Sequence, residues 1–242
     1  MTFQSTVNIF NAIGVVGDLA FSGPIRAIPY NLNSDTGYPN VIGRAFTVLT
    51  GGVPTPTGAA PNAGSARAGG TGPFAGILVN PKAYVTAGTG GNALAPTLTL
   101  PDNAVGELLQ MGEIFVAFPG AAAIGDKVFF DNTTGELGTT GAIAGTATQS
   151  GTVLTVATST GGNIGVGSVI SVAGAAQVTV VSLGTGTGGT GTYNVNFSQT
   201  VGSAAAITGT PAAPTGKTLV PNCEVAHYGL TGAGVGVIKL TN

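Results

Sequence analysis

Charge is what this 242-residue sequence has least of. Asp, Glu, Lys and Arg make up 7% of it, against about 25% in an ordinary soluble domain. Seven basic residues spread over the whole length cannot form the dense patch that tracks phosphates, so nucleic acid is set aside as a partner. A single cysteine, Cys223, rules out an intrachain disulfide and a cysteine-rich zinc site. His227 is the one histidine, so any imidazole dyad or metal site would have to include it. Mean hydropathy is positive, yet Gly, Thr and Ser interrupt every apolar run well before the ~20 residues a spanning helix needs, which sets a membrane aside too. No basic residue precedes Arg26, so the N-terminus lacks the charged start of a signal peptide, and the chain is expected to be made and kept in a cytoplasm.

Glycine and turn chemistry are abundant instead. Forty-two glycines and fourteen prolines are about 23% of the chain, just under the roughly 25–30% that marks low complexity. With 43% hydrophobic residues, that composition predicts short strands joined by tight turns, an all-β protein. The clearest structural signal is Ala104 to Leu137. In EIFVAFPG, Ile114, Val116 and Phe118 alternate with Phe115 and Ala117, both sets apolar, which predicts a strand covered on both faces. DKVFFD is half exposed by the same count, with Val128 and Phe130 on one face and Lys127, Phe129 and Asp131 on the other. Asn132 to Gly135 supplies a turn, and Glu136-Leu137 begins a return strand.

Around that hairpin the chain divides by composition. Phe3, Val7, Phe10 and Ile13 read either as a first strand or as an arm. Asp18 and Arg26 are then the only charges in a turn-rich segment punctuated by Gly14, Gly17, Gly23 and Pro24, where a surface turn pair is the usual reading and an ion pair the sharper one. YPNVIGRAFTV reads as a strand with a glycine break, followed by a Pro- and Gly-rich loop of more than twenty residues. FAGILV and KAYVTA are further strands. Residues 137–216 contain no Asp, Glu, Lys or Arg, and there SGTVLTVAT, VGSVISVAG, AQVTVVSLG, GTYNVNFSQTV and AAAITG predict five strands of a small sandwich or barrel. Charges return after Pro214, with CEVAHYGL and GVGVIKLT as the last strands. The expected organisation is a discontinuous barrel- or sandwich-like frame, 1–140 and 213–242, carrying an inserted β module, 141–212.

No reacting constellation stands out. Gly186 to Gly191 matches GxGxxG formally, but strand pattern follows it where a nucleotide site needs a helix. Thr215-Gly216-Lys217-Thr218 imitates the end of a phosphate loop, yet Pro211 stands where its first glycine belongs. His227 falls on a strand face with Cys223 and Val225, where a packed or surface strand histidine is favoured over a catalytic one, and no G-x-S-x-G elbow accompanies it. Asp126, Asp131 and Glu136 recur every five residues around a hairpin, but at no known calcium spacing, so turn roles are favoured. No catalytic, metal or cofactor-binding residue is expected.

A resemblance adds to this reading. TFQSTVNIFNAIGVVGDLAFSGPIRA, with Gly14, Gly17, Asp18, Ala20, Pro24 and Arg26, resembles the N-terminal signature of the structural cement (decoration) proteins of tailed bacteriophage capsids. FAGILVNPKAYV, GEIFVAFPGAAAIGDKVFFDNTTGEL and PTGKTLVPNCEVAHYGLTGAGVGVIKLTN look like that family's later strands in order. GTVLTVAT, IGVGSVIS and LGTGTGGTGTYNVNFSQTV resemble a module of phage tail and virion proteins. The resemblance implies a non-enzymatic virion protein, assembled in the host cytoplasm, that binds the outside of a capsid through the phage major capsid protein and neighbouring copies of itself. The insert module taken alone suggests a tail- or fibre-associated adhesin instead, and a virion-borne hydrolase is a third reading. With so few charges, contact is expected through apolar burial and backbone pairing, with Phe3, Val7, Phe10, Ile13, Asp18 and Arg26 as candidate partner-binding residues.

Overall fold

A computed structural model describes residues 14–21, 23–33, 39–50, 64–81 and 99–241. Among them every regular element is a strand, and no helix is present that could cross a membrane. The strands are β1 (Arg26–Asn31), β2 (Ala45–Val48), β3 (Ala66–Ala68), β4 (Phe74–Leu78), β5 (Val105–Phe118), β6 (Lys127–Asp131), β7 (Leu137–Thr140), β8 (Ile143–Gly161), β9 (Val169–Val172), β10 (Val178–Leu183), β11 (Gly191–Thr210), β12 (Lys217–His227) and β13 (Gly234–Leu240). They form two antiparallel sheets, of nine and four strands. The protein is all-β, as its glycine-punctuated pattern predicts.

The larger sheet is built on β5, which is paired on both edges along its length. Leu109 has Ala27 of β1 on one side and Ile77 of β4 on the other. Five residues on, Ile114 lies between Leu19 and Ile238 of β13. From β5 one arm of the sheet runs through β4, β2 and β3 and the other through β13, β12, β6 and β7. Leu109, Ile114, Val116 and Phe118 point into one core with Val128, Phe130, Val225 and Ile238. Leu108 points the other way, into a second cluster around Phe46, Leu78 and Leu100.

Several expectations change at this level. The strand through Ile114 to Phe118 is fully covered on one face only: Phe115 is half-buried and Ala117 exposed. Over Phe115 lies the chain at Gly14, so close that a Cβ there would stand 2.5 Å from the ring. β1 falls where turns were expected. Pairing with β5 outweighs the local signal of Pro29, which is tolerated because among the described residues β1 has no second strand needing its N–H. Three residues of the predicted long loop form β3, too short to show any periodicity. The strand expected from Tyr38 is confined to β2, after the break at Gly43 with φ +79°. KAYVTA lies outside the described residues.

The nine-stranded sheet rolls until its two ends meet. Among the described residues they are joined by isolated backbone bonds to the β6–β7 turn, not by a strand ladder. Ala45 N, at the start of β2, donates to Gly135 O (2.9 Å), and Gly70 N, just past β3, to Asn132 O (2.7 Å). Arg44 Nη1 adds a bond to Thr134 O at 3.1 Å. The β6–β7 turn that receives these groups is held by Asp131, whose Oδ1 accepts from the amides of Thr133 (2.7 Å) and Thr134 (2.9 Å) while Oδ2 accepts from Lys217 Nζ. Gly135 has φ +71°, and a Cβ there would lie 2.4 Å from Ala45 O and 2.8 Å from Gly69 N.

The smaller sheet has its own core of Leu154, Val156, Ile170, Val180, Tyr193 and Ile207 among others. It has four strands where the pattern predicted five. SGTVLTVAT is the later part of the 19-residue β8, and AAAITG the end of the 20-residue β11. Their register slips twice, between Asn194 and Gln199 and between Val201 and Ala205, so two irregularities replace the expected turn. β8 also folds back on itself, bringing the Thr146 and Thr158 hydroxyls to 2.8 Å. Hydroxyl and amide pairs of this kind replace charge on the outer face.

Two predictions test the closure. Gly135→Ala should lower stability by about 2–4 kcal/mol, from the positive φ and the backbone collision together, read as a shift of the denaturant midpoint at unchanged slope. The Lys217 ammonium, aided by the two threonine amides and opposed by burial, holds the Asp131 carboxyl at about 2, below its ordinary 3.8. Folding therefore favours the ionised form. The contribution is complete above the ordinary value and is lost as pH falls through it toward 2. Asp131→Asn should cost about 1–2 kcal/mol at pH 7 and progressively less in acid, so the two proteins' melting temperatures should converge below pH 3.

Candidate interaction surface

The segment before β1 is laid along β5 by its backbone. Gly17 N donates to Phe115 O (2.7 Å), Phe115 N to Asp18 O (2.9 Å) and Ala20 N to Glu113 O (2.9 Å). Gly17 makes the approach possible, with φ +85° and room for no Cβ, which would stand 2.1 Å from Ile42 Cγ2. Asp18 Oδ1 accepts from Asn80 Nδ2 at 2.9 Å. Arg26 opens β1 opposite Met111. Asp18 and Arg26 thus mark the two ends of one strip along β5. Between and beside them Val15, Leu19, Phe21 and Ile25 are each 40–50% exposed, four large apolar side chains within eleven residues. Phe3, Val7, Phe10 and Ile13 lie outside the described residues.

The strip borders an apolar groove of about 290 Å³, walled by Phe21, Pro24, Met111 and Leu240 with Glu113 and Lys239 at its rim. At its edge His227 leaves the face that alternation assigns it with Cys223 and Val225. Cys223 and Val225 are buried, but His227 is exposed, because β12 spends two residues, Ala226 and His227, against a single step from Ile238 to Val237 on β13. That bulge turns the imidazole outward. Its Nε2 stands 3.6 Å from Glu113 Oε2, and its ring centroid 5.0 Å from that of Phe21. Tyr228 follows with φ +60° and 46% exposure. Sequence reading missed Phe21, His227 and Tyr228 as one surface. Alternation was the only signal available, and the bulge breaks it.

The motifs that imitate chemistry have structural occupations. The glycine run 186–191 wraps the Tyr193 ring, whose hydroxyl donates to Gly189 O (2.7 Å) and accepts from Gly188 N (3.2 Å). A Cβ on Gly186 would overlap that ring at 2.2 Å. Lys217, in the phosphate-loop imitation, is bonded to Asp131. Asp126 accepts from the Ala123 amide at 2.9 Å and Asp131 caps its turn. Among the described residues no three His, Cys, Asp or Glu side chains gather as a metal site. Burial pushes the Cys223 thiol far up, away from the reactive thiolate. What this face offers is apolar area, backbone and a few paired charges, the means of binding another protein surface.

Comparison with protein families matches residues 3–184 to the phage structural cement proteins. No curated protein matches the chain. The matched span holds Asp18, Arg26 and strands β1 to β10. It runs beyond the seam expected near residue 140 and stops before β11, so the returning segment 213–242 lies outside it. Covering most of the chain, including the strip along β5, this match shows that the protein belongs to the phage structural cement protein family and is a structural protein of the virion capsid.

Proposed function

We propose that the protein acts without catalysis on the outside of an assembled capsid, where it ties neighbouring major capsid subunits together. The observation that carries this reading is the exposed apolar strip of Val15, Leu19, Phe21 and Ile25, held in a fixed register along β5. A chain with so few charges gains little from long-range steering, so apolar burial and backbone pairing, multiplied over symmetric copies, supply its affinity. In sequence, Phe3, Val7, Phe10 and Ile13 continue the apolar character toward the N-terminus, and Asp18 and Arg26 mark the ends of the strip.

In sedimentation with empty capsids, a protein lacking residues 1–12 and the double variant Leu19→Asp, Ile25→Asp should each fold normally and bind at least about tenfold more weakly than the full chain. Normal decoration by both, with folding preserved, would place the contact elsewhere.

The charge-free residues 141–212 are proposed to be a unit inserted in the frame of residues 1–140 and 213–242. Their separate core supports this, and so does the way the two crossings are clasped together. Asn163 N donates to Thr140 Oγ1 (3.1 Å), Asn163 Nδ2 to Ala212 O (3.2 Å) and Ala212 N to Asn163 O (3.0 Å). Deleting residues 141–212 and joining the seams should leave a frame with a cooperative thermal transition and a β circular dichroism spectrum. A soluble but unfolded product would show that the two parts fold as one.

A further inference from the structure

In a chain of sixteen charged residues, four lie in one row across the outer face of the larger sheet. Lys127 of β6 is the cross-strand partner of Glu224 of β12, Glu224 of Lys239 of β13, and Lys239 of Glu113 of β5. Partners in register share a face. That this is the outer face follows from their neighbours Val128, Val225, Ile238 and Ile114, which fill the core. Lys127 and Glu224 are 44% and 48% exposed and 3.3 Å apart, and Lys239 is exposed. With strands about 4.8 Å apart the row spans about 14 Å and reads plus, minus, plus, minus.

An alternating row of even length is its own complement when reversed. Two copies packed face to face, about a two-fold axis parallel to the strands and between β12 and β13, set each Lys127 against the partner's Glu113 and each Glu224 against the partner's Lys239. All four positions then meet opposite charge. Isologous contacts require this self-complementarity, and an axis parallel to the row would instead stack like on like. Apolar surface flanks the charges at both ends. The groove and the half-exposed Phe21 lie by Glu113, and Ile124, 66% exposed, lies three residues before Lys127. Reversal brings Ile124 to the end that carries the partner's Phe21.

We infer that this face is a two-fold interface between copies of the chain, with the alternating row fixing the register and Ile124 and Phe21 supplying the apolar contact. The interface belongs to the isolated protein and requires no step of the capsid reading. Analytical ultracentrifugation over a range of protein concentrations tests it. The full chain should dimerise, with association about tenfold weaker in 0.5 M salt than in 0.05 M, because rim charges are screened. An acidic variant, Lys127→Glu with Lys239→Glu, and a basic variant, Glu113→Lys with Glu224→Lys, should each be monomeric, while an equimolar mixture of the two should form a heterodimer. Ile124→Asp, a loop substitution outside the sheet, should weaken association without altering the melting transition, and it remains decisive even where a row variant fails to fold. A full chain that stays monomeric at every concentration overturns the interface, as does a dimer that persists undiminished in Ile124→Asp or in the folded row variants. Capsid binding is not measured in this experiment, so either outcome leaves the capsid reading to its own test.

Discussion

Antiparallel pairing on both edges of β5 is the constraint on which the rest of the larger sheet depends. A strand with two partners must present its side chains to both faces of a sheet. The alternation through Ile114, Val116 and Phe118 then commits one face to the core. The same pairing leaves a long edge along which the segment from Gly17 to Asn31 can lie. The apolar side chains of that segment consequently project from a surface whose register is fixed by backbone bonds. The exposed apolar strip and the core are two consequences of one strand.

Scarcity of charge shapes what such a fold can do. Without ionised side chains to solvate its outer faces, the smaller sheet relies on hydroxyl and amide bonds: Thr146 to Thr158, Asn194 to Ser182, Gln177 to Ser171. These bonds specify register locally, where a lysine-studded surface would only keep strands in solution. In the larger sheet the few charges are placed, not scattered. Asp131 and Lys217 hold the turn where the rolled sheet meets itself, and the row from Lys127 to Glu113 crosses the outer face. A structural protein that must join a symmetric shell gains from surfaces whose contacts are set by shape and backbone, since these persist where ions screen charge.

Glycine carries much of the tertiary closure. At Gly17 and Gly135, positive φ and contact too close for a Cβ coincide, and each lies where one part of the chain is laid against another. Glycine was legible in the sequence only as punctuation. Its use as a site of close backbone approach appears when the partner, Ile42 or the Ala45 carbonyl, is placed beside it.

The sequence by itself determined that the protein is all-β, because period-two alternation and turn residues are local properties. It also identified the β5–β6–β7 core, the charge-free block and the family, whose N-terminal signature is a run of consecutive residues. It could not determine β1, whose Pro29 argues against a strand until the edge of β5 accepts it, nor β3, three residues long within a glycine-rich loop. The face of His227 was beyond it for a related reason. A single bulge at Ala226 reverses the face that alternation predicts for His227, and it becomes visible only in the pairing with β13. The charge row is likewise invisible along the chain, since Glu113, Lys127, Glu224 and Lys239 are scattered over more than a hundred positions. Only the order of strands in the folded sheet brings them side by side, because cross-strand neighbours are a property of pairing and not of sequence distance.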